Sequence, residues 1–258
     1  MPRVGETIRI AAAGDVHASE AHRARVEGAF ESVADDADLV LLAGDLTTHG
    51  EPEQAQVLAD ACRRLDGVPV YAVLGNHDHH EAKGDRIARV LRDAGVVVLD
   101  REAAVLALGD GCEVGIVGAK GFVGGFPGSS LPDFGEPLLR RVYAETSDEV
   151  AAVERGLQEV SHCALRIVLL HYSPTVETLE GEPVGIHAFL GSARLATPIA
   201  EYQPDIVLHG HAHAGSFEGR IGDTPVYNVA VHVTGRDFWV FDLEVTPRRG
   251  EIEVEGPA

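Results

Sequence analysis

The chain has 258 residues, 45% of them hydrophobic, and sets 41 acidic side chains against 21 Lys plus Arg for a formal charge of −20. That is enough apolar content for a substantial buried core, and one domain over residues 1–258 is expected. The acidity argues against nucleic-acid and anionic-membrane partners, which are held through basic patches; Lys83 and Lys120 are the only lysines. No apolar run reaches the roughly 18–20 residues that cross a bilayer. Residues 1–6 lack the basic start and apolar stretch of a signal peptide, so a cytoplasmic protein is expected. Cys62, Cys112 and Cys163 are odd in number and scattered, which suits a reducing compartment and makes neither a disulfide framework nor a zinc cluster.

The first hundred residues alternate strand and helix patterns. Residues 8–13 read as a strand and 21–33 as a helix; 39–43 is an apolar run suited to a fully buried strand. A helix follows over 51–65, with Pro52 near its start and Val57, Leu58, Ala61 and Leu65 on one face. Residues 68–74 form the third strand, and Asp85 is read as the cap of a helix running to about Asp93. Helices between strands at this spacing indicate βαβ units and a largely parallel sheet, with ligands gathering at the carboxyl ends of its strands. Residues 96–99, 104–108 and 113–117 are short β segments, the last two joined by a Gly109-Asp110-Gly111 hairpin signal. The stretch 121–137 holds five glycines and three prolines, too many for a helix, and is expected to be a loop flanking a ligand site. Thr146 and Glu149 read as a capping box, followed by a helical face of Val150, Val153, Leu157 and Val160. Strands are expected at 165–170, 206–208, 226–229 and 238–243.

Five polar clusters, four of them after an apolar run, carry the chemistry: Asp15-Val16-His17, Gly44-Asp45, Gly75-Asn76-His77-Asp78, His171, and Gly210-His211-Ala212-His213. Each puts Asp, Asn or His where a buried strand emerges into loop. Asp15 and His17, two apart, point the same way in extended backbone and converge on one cation; His211 and His213 repeat that geometry. Gly44, Gly75 and Gly210 remove side-chain bulk where the backbone turns sharply. Asp45 has two oxygens and is able to bridge two cations, while Asn76 adds a neutral oxygen. Gly-Asn-His-Asp is a rare string at ordinary residue frequencies, whereas Asp-x-His and Gly-Asp alone are common.

In this order the motifs D-x-H, GD, GNHD, H and GHxH resemble the signature of the calcineurin-like metallophosphoesterase superfamily over residues 15–213. The resemblance implies a four-layer αββα sandwich, two mixed β-sheets flanked by helices, carrying a dinuclear metal site. It implies that Asp15, His17 and His213 hold one ion, that Asn76, His171 and His211 hold the other, and that Asp45 bridges both. His77 would stand beside the ions as a catalytic group, oriented by a hydrogen bond to Asp78. Two cations about 3.5–4 Å apart stabilise attacking and leaving oxygens in an in-line displacement by a shared hydroxide. Oxygen and imidazole donors without thiolate suit two divalent-type ions, Mn²⁺, Fe²⁺/Fe³⁺ or Zn²⁺, without choosing among them.

The match departs from the family pattern twice. Ala18 follows His17 where glycine is usual, and Thr48-His49 stands where phosphoprotein phosphatases carry Asp-Arg, which weakens a phosphoprotein substrate. The leading expectation is a phosphodiesterase on a small phosphorylated substrate, similar to compact bacterial cyclic-nucleotide phosphodiesterases. A phosphomonoesterase or nucleotide pyrophosphohydrolase shares the same core, a nuclease suits the charge poorly, and the non-enzyme alternative is a metal-binding scaffold. His49, His79 and His80 border the motif loops and are candidates to touch phosphate. His209 is expected to be packed or hydrogen-bonded, and His22, His162, His187 and His232 to be structural or surface residues.

Overall fold

The computed structural model describes residues 7–108 and 111–245. In chain order its elements are β1 (Thr7–Ala13), α1 (Arg23–Glu31), β2 (Leu39–Ala43), α2 (Pro52–Cys62), β3 (Val70–Val73), α3 (Gly84–Arg92), β4 (Val97–Val98), β5 (Glu102–Leu108) and β6 (Cys112–Gly118). The short pair β7 (Gly125–Phe126) and β8 (Ser129–Ser130) precedes α4 (Pro137–Glu159), β9 (Leu165–Leu169), α5 (His187–Leu190) and α6 (Ala196–Tyr202). The chain continues through β10 (Ile206–His209), β11 (Glu218–Ile221), β12 (Thr224–Asn228), α7 (Val231–Thr234) and β13 (Trp239–Glu244). The signal-peptide reading of residues 1–6 and the hairpin residues Gly109 and Asp110 fall outside the described residues. The hairpin itself forms, with β5 antiparallel to β6 from Leu108↔Cys112.

Two mixed sheets pack face to face. One runs β13-β1-β2-β3-β4, parallel from β1 to β4 with β13 antiparallel at the edge. The other runs β11-β12-β10-β9-β6-β5, with four parallel central strands and antiparallel edges. Strand alternation sorts the apolar runs into layers. Ile8, Ile10, Leu39, Leu41 and Val73 point inward against Ile116, Ile167, Leu169, Ile206 and Leu208 of the second sheet. Ala11, Val40, Leu42 and Ala72 point outward onto Val26, Phe30, Leu58, Ile87 and Leu91 of the first three helices. Val117, Val168 and Val207 do the same against Val153 and Leu157 of α4 and Ile199 of α6. Both faces of the central strands are therefore dry, which is why β2 and β9 read as unbroken apolar runs. The result is the expected αββα sandwich. Among the described residues no helix is long and apolar enough to cross a membrane.

Three expectations need correction. Asp85 does not cap α3: the helix begins at Gly84 after Lys83, and Asp85 lies in its first turn, where its charge suits the dipole. Thr146 and Glu149 are no capping box, because α4 starts at Pro137 and both lie mid-helix and buried. Their polar groups face inward: Thr146 Oγ1 donates to the carbonyls of Val123 and Val142, and Glu149 accepts from Arg101 and the Gly121 amide. The stretch 121–137 is not wholly loop, since it folds into the β7–β8 hairpin and yields Pro137 to α4. It packs on residues 188–191 through Gly124 N–Ala188 O and Gly125 N–Gly191 O bonds of 3.1 and 2.8 Å.

Candidate metal centre

The five polar clusters leave the carboxyl ends of β1, β2 and β3 in one sheet and of β9 and β10 in the other, and the sandwich brings these ends to one edge. Backbone bonds knit the loops together. The amides of Asp15, His17 and Ala18 donate to the carbonyls of Gly44, Asp45 and Leu46 at 2.9, 3.0 and 2.9 Å. The His77 amide donates to Asp45 Oδ1 at 2.8 Å, and the His211 amide to Asp15 Oδ2 at 2.9 Å. All seven expected donors come together. One group is Asp15, His17, Asp45 and His213, a second is Asp45, His171 and His211, and within each the donor atoms lie within 4.8 Å of one another. Asp45 belongs to both groups. Asn76 joins the second through Oδ1, 2.8 Å from His171 Nε2.

How the donors converge differs from expectation. Asp15 and His17 are not extended: their φ angles are +59° and +47°, with Asp45 at +49° and His211 at +70°. Left-handed conformations are uncommon for side chains of this size, and four together at one edge mark a strained functional loop set. The turn, not strand alternation, aims Asp15 and His17 together. His211 and His213 then part, one to each group. Gly44 does sit in a sharp turn at φ +80°, but Gly75 and Gly210 serve close approach instead. A Cβ on Gly75 would lie 2.2 Å from Asp45 Oδ1, and one on Gly210 2.3 Å from Asp15 Oδ2.

The donor set fits divalent ions. His171 Nδ1 donates to the Ala43 carbonyl at 2.9 Å, since that oxygen only accepts. This leaves the Nε2 lone pair facing Asn76 Oδ1 at 2.8 Å and Asp45 Oδ1 at 3.3 Å. Three electron-pair donors so close repel one another unless a cation stands among them. Burial, reinforced by neighbouring histidines, lowers His17 to about 4 and His211 to about 3, keeping both rings neutral and ready to ligate. Burial alone would raise the Asp15 carboxyl, but the His213 hydrogen bond and nearby imidazoles bring it down to about 2. That same bond, 2.7 Å long, raises His213.

His77 stands beside the first group, its ring 4.7 Å from that of His17 and its Nε2 3.9 Å from Asp45 Oδ2. Its orientation has a different source from the one expected. Nδ1 donates to the Thr48 carbonyl at 2.8 Å, whereas Asp78 is saturated elsewhere. The buried Asp78 carboxylate accepts from the amides of Leu46, Thr47 and Gly75 and from Thr47 Oγ1, at 2.6–3.1 Å. It ties the Gly-Asp loop to the Gly-Asn-His-Asp loop and leaves His77 to Thr48.

Among the other histidines, His80 is exposed with its ring 4.5 Å from that of His77, while His49 is exposed with no ring contact to these groups. His79 lines a separate cavity with Lys120, Asp85 and Asp100. His209 is buried and bonded to Thr178 Oγ1 and the Gly210 carbonyl, as expected. Two neighbours of the donors carry no expectation from the sequence, and a third, His232, is expected only as a structural or surface residue. Tyr172 packs 4.4 Å from His211, and adjacency to His171 could have flagged it. The Phe189 carbonyl accepts from His211 Nε2 at 3.2 Å. His232 stacks on His213, and no sequence motif marks either of these last two.

Residues 8–215 match the model of the calcineurin-like phosphoesterase family, and the chain belongs to that family. It is a metal-dependent phosphoester hydrolase. No curated protein matches it significantly. Its fold is similar to that of phosphopantetheinyl hydrolase from Mycobacterium tuberculosis, with a TM-score of 0.66 and 15% identity over 95% of this chain and 98% of that one. A provisionally assigned 5'-nucleotidase from Staphylococcus aureus gives a TM-score of 0.58 and 17% identity over 94% of this chain, which spans 55% of that protein. GAP50, the anchor in the inner membrane complex of Plasmodium, gives 0.56 and 10% identity over 88% of this chain and 72% of that one. At such identities the likeness is one of fold.

Proposed function

We propose that the protein is a phosphodiesterase acting on a small phosphorylated molecule. Asp15, His17 and His213 would hold one divalent ion, Asn76, His171 and His211 a second, with Asp45 shared between them. The observation that carries the diester reading is the chemistry of the rim. The rings in contact with His17 and His213 are the imidazoles of His77 and His232, with His80 against His77, rather than guanidinium or ammonium groups. Arg25, which lies near His232, is engaged by Asp237 and the Val16 carbonyl. A phosphomonoester dianion is ordinarily gripped by Arg or Lys, whereas a diester carries one charge fewer and suits neutral donors. The formal charge of −20 supports a small substrate over a polynucleotide.

Bound divalent ions supply charge neutralisation at phosphorus and acidify water at neutral pH. Oxygen and imidazole donors suit Mn²⁺, Fe or Zn²⁺. The chain's own residues do the rest. Thr48 fixes the N–H of His77 at Nδ1, so Nε2 is the nitrogen free to take up a proton from solvent and pass it to the departing ester oxygen. Asp78 holds the two loops that set His77 against Asp45. The fold likeness to the 5'-nucleotidase suggests a monoester, but fold does not select the ester, and the imidazole rim supports the diester.

The test is hydrolysis by manganese-loaded protein of an aryl phosphodiester, the matching monoester, cyclic nucleotides and single-stranded DNA. The diester should be preferred by about tenfold in kcat/KM; preference for the monoester or robust DNA cleavage would overturn the reading. In the same assay His77→Ala should lower kcat by about 10²–10³ while bound manganese is unchanged.

A further inference from the structure

His232 carries the furthest inference. Its ring lies 4.2 Å from that of His213 at an interplanar angle of 11°, and stands edge-on 6.1 Å from that of His17. Contact this close with two expected metal donors sets it apart from the histidines remote from the centre. Those have partners of their own: His22 meets Ser19, His187 meets the Glu182 carbonyl, and His162 lies 4.0 Å from Glu113. His232 is exposed, and among the described residues its ring nitrogens make no hydrogen bond to protein. It is also fixed in place. Gly14 N donates to the Val229 carbonyl at 2.8 Å and Val231 N donates to the Gly14 carbonyl at 3.0 Å, bolting residues 229–231 to the loop that bears Asp15 and His17.

A rigid, solvent-facing imidazole with an unused N–H, stacked on one donor and edge-on to another, is arranged to meet a ligand. We infer that His232 is a specificity-determining residue that donates a hydrogen bond to a phosphoryl oxygen of the bound substrate. The inference rests on the phosphodiesterase reading. His77 and His232 both stand edge-on to His17, at interplanar angles of 77° and 71°. A phosphoryl group held over His17 thus has an imidazole on offer from each ring. His77 handles the proton of the departing oxygen, and His232 holds an oxygen that stays on phosphorus.

Replacement by phenylalanine separates the two ways in which the ring could act, because it keeps the stacked ring and removes both nitrogens. In manganese-loaded protein, His232→Phe should raise KM for the aryl diester about tenfold with kcat within about twofold. Bound manganese should equal that of the unsubstituted protein, and His232→Gln, which keeps an N–H donor, should recover part of the KM. An unchanged KM in His232→Phe would overturn the inference, and so would loss of manganese, which would mean that the ring merely supports His213. Failure of the unsubstituted protein to hydrolyse the diester would sink the phosphodiesterase reading instead, so the two are told apart.

Discussion

Gly75 shows how closely the centre is drawn in. A methyl group there would stand 2.2 Å from Asp45 Oδ1 and 2.3 Å from the Asp45 amide, distances that real Cβ atoms do not tolerate. Gly75→Ala should therefore displace the carboxylate shared by both donor groups. Overpacking of this kind costs about 1–3 kcal/mol, and the loss of manganese affinity by calorimetry should be about 5-fold to 150-fold if all of it falls on the donors. Wild-type affinity would show that the loop absorbs the methyl group. Residue types were legible at this scale, since Asp, Asn and His after apolar runs name the donors one by one. Backbone conformation was not. The left-handed φ angles at Asp15, His17, Asp45 and His211 depend on bonds to loops far along the chain, as between the His17 amide and the Asp45 carbonyl, and no local propensity announces them.

Strands were easier to place than helix starts. Residues 39–43 were read as a strand and are β2, because a segment dry on both faces leaves little choice of pattern. In α4 the polar pair Thr146 and Glu149 imitates a helix start, yet Glu149 is 1% exposed and bridges three structures. Its Oε1 accepts from Arg101, at the start of the second sheet, and its Oε2 accepts from the Gly121 amide at 2.9 Å. The preceding residue, Lys120, accepts through its carbonyl from the His171 and Tyr172 amides. Glu149 thus braces the strand end that carries His171. Glu149→Ala leaves the Gly121 amide without its acceptor and takes one of two carboxylate partners from Arg101, which keeps Glu145, and should lower stability in urea by about 2 kcal/mol. Glu149→Gln, which keeps an acceptor for Gly121, should lose less; equal losses in the two variants would show that charge alone matters.

Across the whole molecule, buried histidines set the response to acid. Burial lowers His209 to about 4, His17 to about 4 and His211 to about 3, against an ordinary value of 6.5. Between 6.5 and about 4 the unfolded chain binds the protons that these folded rings refuse. Their contribution is full above pH 6.5 and is lost as pH falls through that window. His213, raised by Asp15, acts in the opposite sense, with its contribution present below 6.5 and lost as pH climbs past its folded value. Partial burial lowers His79 and His232 as well, and five rings against one predict that metal-free protein has a lower urea midpoint at pH 5 than at pH 7; a midpoint that rises on acidification would contradict the burial of these rings. By itself the sequence determined the βαβ alternation of the first hundred residues and the polar residues that end its strands, because apolar periodicity and polar strand ends are local properties of the chain, while the αββα layering followed from the resemblance of the motifs. Only the tertiary structure decided that Thr48 rather than Asp78 orients His77, that a turn rather than strand alternation aims Asp15 and His17 together, and that His232 lies on His213. Those choices depend on where two sheets meet, and contacts between residues far apart in the chain leave no periodic trace in it.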